Sequence, residues 1–124
     1  MMTKEEILSY INTLQNATFD QPFEGDFSST VLRVKDSKKW FGIILTASEN
    51  YFKLNNIPVP TDKTVLNLKC PPGLREFLQT QYPCGILPSY HMNKKLWISI
   101  ILQSAVPKDD IIKLINLSYD LVSK

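Results

Sequence analysis

Apolar side chains recur along this chain with two different periods, and the switches between them divide it into elements. Ile7, Ile11 and Leu14 are spaced for one face of a helix, with Leu8 and Tyr10 widening the stripe. Thr3 and Glu6 form a Thr-x-x-Glu capping box at its start, which predicts a first helix over about residues 3–16. From Asn16 to Ser29, Pro22 and Gly25 stand among acidic and polar residues, the composition of a long connection. The period then drops to two. In Thr30–Lys35, Leu32 and Val34 alternate with Arg33 and Lys35. The polar link Asp36-Ser37-Lys38-Lys39 reads as a hairpin turn into Trp40–Thr46, which is apolar on both faces and so central in its sheet. Residues 47–63 carry Pro58 and Pro60 and read as a loop, with a short extended piece around Tyr51–Leu54.

Thr64–Cys70 alternates cleanly, Leu66, Leu68 and Cys70 against Val65, Asn67 and Lys69. Pro71-Pro72 stops this strand, and Pro72 suits the first turn of a helix that buries Leu74, Phe77, Leu78 and Tyr82 and ends at Pro83. Gly85–Asn93 is irregular in pattern. Lys94–Leu102 is the last predicted strand, with Leu96, Ile98, Ile100 and Leu102 inward and Lys95, Trp97, Ser99 and Ile101 outward. Pro107 opens a final helix with the inner stripe Ile111, Leu114, Ile115, Ser118 and Val122, its acidic Asp109 and Asp110 lying at the positive end of the helix dipole. The resulting order is α-β-β-β-α-β-α. Its fold class is α+β, an antiparallel sheet with helices packed on one face.

Composition narrows this only slightly. A chain of 124 residues, 44% hydrophobic and 21% charged, suits one globular domain with a real core. No apolar run approaches the roughly 20 residues that span a bilayer, and the first residues lack the pattern of a signal peptide. A cytoplasmic monomer is the expectation. Cys70 and Cys84 have neither CxxC nor metal-ligand spacing and read as buried thiols. The net charge of +2 conceals an asymmetry: residues 1–32 balance at −4, residues 33–95 at +6 and the remainder at zero. A basic centre beside an acidic arm favours an anionic partner.

Candidate chemistry is sparse. The single histidine, His91, has no second histidine for a metal site and no Asp or Glu within ten residues. The chain has no GxSxG elbow, P-loop or GxGxxG, and its acidic pairs, Glu5-Glu6 and Asp109-Asp110, sit at predicted helix starts. No enzymatic activity and no cofactor are expected. Two-residue periodicity does collect Arg33, Lys35, Asn67, Lys69, Lys95, Trp97 and Ser99 on the sheet face away from the helices. An open basic face with one large aromatic suits phosphates and a stacked base; the alternative is a protein-interaction adaptor or chaperone-like module that receives a peptide or protein partner on the same face. A small molecule between the sheet and the Gly85–Asn93 loop is a third possibility.

Several strings resemble one family. They are Lys39-Trp40-Phe41, Leu68-Lys69-Cys70-Pro71-Pro72, the run from Pro88 through Tyr90-His91-Met92-Asn93-Lys94-Lys95 to Trp97-Ile98, and Val106-Pro107 with Leu117–Val122. Together they make the chain similar to the MmcQ/YjbR family over nearly its whole length. The resemblance implies a CyaY-like fold, that of the bacterial frataxin homologue, with a twisted antiparallel sheet and helices on one face. It also implies DNA binding through a double-wing arrangement. The positions matching that role are Lys69, His91, Asn93, Lys94, Lys95 and Trp97, with Lys38 and Lys39 in a wing turn. The chain departs from the family pattern at Ser89 and at Lys95-Leu96. Iron handling would need an acidic ridge on the first helix, which Glu5 and Glu6 alone do not make.

Overall fold

A computed structural model describes residues 1–25, 28–57 and 61–124. Among these residues the chain forms four helices and a six-stranded antiparallel sheet. In chain order the elements are α1 Lys4–Asn12, β1 Ala17–Asp20, β2 Thr30–Val34, β3 Trp40–Ala47, α2 Glu49–Leu54, β4 Lys63–Lys69, α3 Leu74–Gln81, β5 Ile86–Pro88, β6 Trp97–Ile101 and α4 Lys108–Ser123. The strands lie side by side as β1-β2-β3-β4-β6-β5, so β3 and β4 are central.

The predicted α+β class and antiparallel pairing hold, and the structure adds three elements. β1 occupies part of the segment read as a long connection. Its four residues pair with β2, Ala17 opposite Val34 and Asp20 opposite Val31, and too few residues alternate there for a periodic signal. The piece around Tyr51–Leu54 is helical rather than extended: Ser48 caps α2 by accepting a hydrogen bond from the Tyr51 amide. Pro58 and Pro60 lie outside the described residues. β5 pairs with β6 through Ile86–Ile100 and Pro88–Ile98 within the stretch read as irregular.

Three boundaries also move. The first helix ends at Asn12, the fourth predicted strand begins at Trp97 rather than Lys94, and α3 begins at Leu74, after Gly73 at φ 89°. Phe77, expected inside, is 62% exposed, and α3 meets the core through Leu74 and Leu78, with Tyr82 just past its end. Cys70 is buried as expected, whereas Cys84, just past α3, is exposed.

The sheet has two unlike faces. Against one lie α1, α3 and α4, closing a continuous apolar core around Leu32, Phe41, Ile44, Leu66, Leu68, Ile98 and Ile100. At the end of the β3–β4 ladder the Ser118 hydroxyl of α4 donates to the Phe41 carbonyl and accepts from the Lys69 amide at 2.9 Å, satisfying backbone groups beyond the last paired residues. α2 instead covers part of the opposite face, where Phe52 packs with Ala47, Ile57, Val65, Leu87 and Ile101.

Candidate functional site

The face away from α1, α3 and α4 is not the open basic platform that strand alternation suggests. Its central row runs Val31, Ile43, Asn67, Ser99 and Leu87 across neighbouring strands, and all five are buried. Asn67 and Ser99 are both 0% exposed because the loop after β5 folds over them. The Asn67 amide donates to the Tyr90 carbonyl at 2.8 Å, the Tyr90 amide donates to Ser99 Oγ at 2.8 Å, and the Ser99 hydroxyl donates to Asn67 Oδ1. Each buried polar group is thereby answered, and the loop is tied to the sheet at Tyr90.

That anchoring builds an aromatic ridge. The Tyr51 and Tyr90 rings lie 4.8 Å apart between centroids, and His91 rests against Tyr90 at 3.7 Å. His91 takes φ 66°, which turns the chain so that its exposed ring follows Tyr90 over the surface. Tyr51 donates to the Pro88 carbonyl at 2.5 Å, and burial pushes its phenol up to about 12.

On one side of the ridge is a groove of 390 Å³ whose floor includes Ile43, Leu45 and Asn67. Tyr90, His91 and Met92 form one wall, and Phe23 and Trp40 the other. The Phe23 and Trp40 rings meet edge to face at 5.9 Å. Arg33 is 5.5 Å from the Trp40 ring centroid and is held there by Asp20 at 2.8 Å and by the Lys38 carbonyl at 3.1 Å. On the other side of the ridge a second hollow, of 460 Å³, lies between α2 and the loop and reaches Tyr51, Asn55, Ser89 and Lys94.

The sequence-derived candidates separate into three groups. Lys38 and Lys39 occupy the β2–β3 turn, where Lys38 adopts φ 65° and its amide bonds the Val34 carbonyl at 2.9 Å. Lys69 ends β4 directly opposite Trp97, which starts β6, and both are half-buried. The antiparallel order puts these strand ends and the β2–β3 turn at the same end of the sheet. Lys95 is exposed two residues before Trp97, and Lys38, Lys39, Lys69 and Lys95 make no ion pair among the described residues.

The third group is structural as well as exposed. Asn93 accepts the Leu96 and Trp97 amides on its carbonyl and the Lys95 amide on its Oδ1. Lys94 donates to the Ser89 carbonyl at 3.2 Å and accepts Arg75 on its own carbonyl at 2.8 Å. Among the described residues no three His, Cys, Asp or Glu side chains gather closely enough to hold a metal ion.

Sequence reasoning missed the groove. Ile43 and Leu45 share the face of Asn67 by alternation, but Trp40 comes opposite Arg33 only through a register shift between Leu32 and Arg33, and the groove also needs Phe23 and Tyr90, which come from segments without period. No described helix is long and apolar enough to cross a membrane.

Comparison with known proteins agrees with the architecture. The Bacillus subtilis uncharacterised protein YyaQ is 34% identical over 121 residues, covering 98% of each chain. The Escherichia coli uncharacterised protein YjbR is 29% identical over 118 residues, 95% of this chain and 85% of its own. A crystal structure of a Pseudomonas syringae protein superposes with a TM-score of 0.85 at 27% identity, covering 98% of this chain and 99% of that one. A Deinococcus radiodurans protein with a DUF419 domain gives 0.76 at 28% identity, over 100% of this chain and 80% of its own. The family model described as YjbR matches residues 12–121, and the chain belongs to the YjbR family.

Proposed function

We propose that this protein is a binding module rather than an enzyme, and that it binds DNA weakly and without strong sequence preference. The observation that carries the reading is the gathering of Lys38, Lys39, Lys69 and Lys95 at one end of the sheet with no ion pair among the described residues. Ammonium groups left without carboxylate partners are the groups that neutralise phosphates and release their counterions. Trp97, beside Lys69, adds a large aromatic edge at the same place. Arg33 is not part of this surface, because Asp20 and the Lys38 carbonyl already hold its guanidinium.

The test is anisotropy of labelled DNA titrated with protein at several salt concentrations. Four phosphate contacts predict a slope of log affinity on log salt of about −3 to −4, and so a loss of about 50-fold between 50 and 150 mM salt. Lys95→Glu should weaken binding to every sequence alike. Absence of binding at the lowest salt, or an affinity that ignores salt, would sink the proposal.

A further inference from the structure

Resting on that reading, we infer that the groove between Trp40 and the Tyr90–His91 ridge seats an unpaired nucleobase, so that the protein prefers single-stranded nucleic acid to duplex. Three features of the groove lead there. Its walls are aromatic on both sides, Phe23 with Trp40 facing Tyr90 with His91, over an apolar floor that includes Ile43 and Leu45. A volume of 390 Å³ accommodates a flat heterocycle with part of its sugar. In a duplex the faces of the bases are covered by their neighbours and only the edges are offered, so a slot that works by stacking selects strands whose bases are free.

Charge supplies the second argument. Trp40 directly follows Lys38 and Lys39 in the chain, and both lysines are exposed and without ion pairs among the described residues. A phosphate held at that turn therefore stands beside the Trp40 wall, where the attached base needs an apolar surface.

The floor tells how selective the slot is. Besides His91, the polar side chains lining it are Ser29, which is 7% exposed, and Asn67, which is 0% exposed, its amide donating to Tyr90 and its carbonyl accepting from Ser99. Asn67 is engaged in holding the loop and does not present itself to base edges. Recognition is then by stacking, which tolerates all four bases.

The experiment compares three labelled probes of equal length at low salt: a single strand, its duplex, and a strand whose sugars carry no bases. The normal single strand should bind more tightly than the base-free strand by about 5- to 150-fold, the range expected for one stacked base, and more tightly than the duplex. Trp40→Ala should bring the normal strand down to the base-free level, while Trp40→Phe, which keeps a ring, retains most of the preference. Because Trp40→Ala could disturb folding, His91→Gly serves as a second variant. It removes an exposed ring at a positive-φ position that glycine accepts without strain, and should lower single-strand affinity several-fold with no change in melting temperature.

Equal, salt-dependent binding of normal and base-free strands would overturn the groove assignment and leave the lysine surface standing. Tighter binding of the duplex would do the same. Failure of every probe to bind at low salt would overturn both.

Discussion

The two faces of the sheet solve the same burial problem differently. The face under α1, α3 and α4 is closed by apolar side chains over its whole width, from Leu32 and Val34 to Ile86 and Ile100. The other face has the small cluster beneath α2, a buried Asn67–Ser99 pair, and a groove that no side chain of the described residues fills. Water exclusion drives the first face, and each methylene buried there adds to stability. The second is held at its centre by directional hydrogen bonds to a loop, which fix geometry while contributing only modestly to folding. A surface organised in that way can leave space for a ligand, because its shape does not depend on the groove being filled.

Adjacent isoleucines of β6 provide the sharpest test. Ile100 is 0% exposed in the larger core and Ile101 is 3% exposed in the smaller cluster, so the same truncation samples both faces. Both alanine variants should fall in the range of about 2–5 kcal/mol, Ile100→Ala near the top and Ile101→Ala near the bottom, because the smaller cluster can collapse around the gap. Denaturant titration measures both losses. Equal losses would break the comparison.

Next in size is Asn67→Leu, which leaves the Tyr90 carbonyl without its amide donor and removes an acceptor from Ser99. It should cost about 1–3 kcal/mol and release the loop. Hydrogen exchange should rise at Tyr90, His91 and Met92 while the amides of β4 and β6 remain slow. Unchanged exchange in the loop would mean that Asn67 is not its anchor.

Ser89→Ala should act in the opposite direction. The Ser89 hydroxyl is fully buried and has no hydrogen-bond partner among the described residues. Removing it should leave stability unchanged or raise it by up to about 1 kcal/mol in a thermal melt. A clear loss of stability would show that the hydroxyl is satisfied after all.

The smallest effect concerns the rim of the helix-covered face, where Lys108 of α4 meets Glu6 of α1 at 2.8 Å. The Lys108 ammonium, with the Thr3 amide, lowers the Glu6 carboxyl from 4.5 to about 2. A carboxyl lowered on folding favours the folded state fully above pH 4.5 and loses that contribution as pH falls towards 2. Lys108→Met should therefore flatten the stability curve between these two values and leave its shape near neutrality alone. An unaltered acid limb would assign the lowering to Thr3.

Much of the helix-covered face was legible in the chain. The stripe of α4, the alternation of Leu66 and Leu68, and the Thr3–Glu6 capping box are local patterns, and each is found where the periods predict it, the box with both hydrogen bonds at 3.1 Å. Period fails for short elements, which is why the sequence pattern of β1 and β5 is that of a connection or irregular chain and that of the single turn and a half of α2 looks extended. The candidate lysines were legible as a composition, and Lys69 and Trp97 as neighbours on one face, because alternation assigns sides of a strand.

Sequence by itself thus determined most of the residues that face the larger core, Phe77 excepted, and which lysines stand outside it, since helix and strand periods are properties of the local backbone. Only tertiary structure decided that Asn67 and Ser99 are buried, that Phe23, Trp40, Tyr90 and His91 surround one groove, and that four lysines share an end of the sheet. Those facts depend on strand order and on a loop folding back over the sheet. They are contacts between residues far apart in the chain, and no local period encodes them.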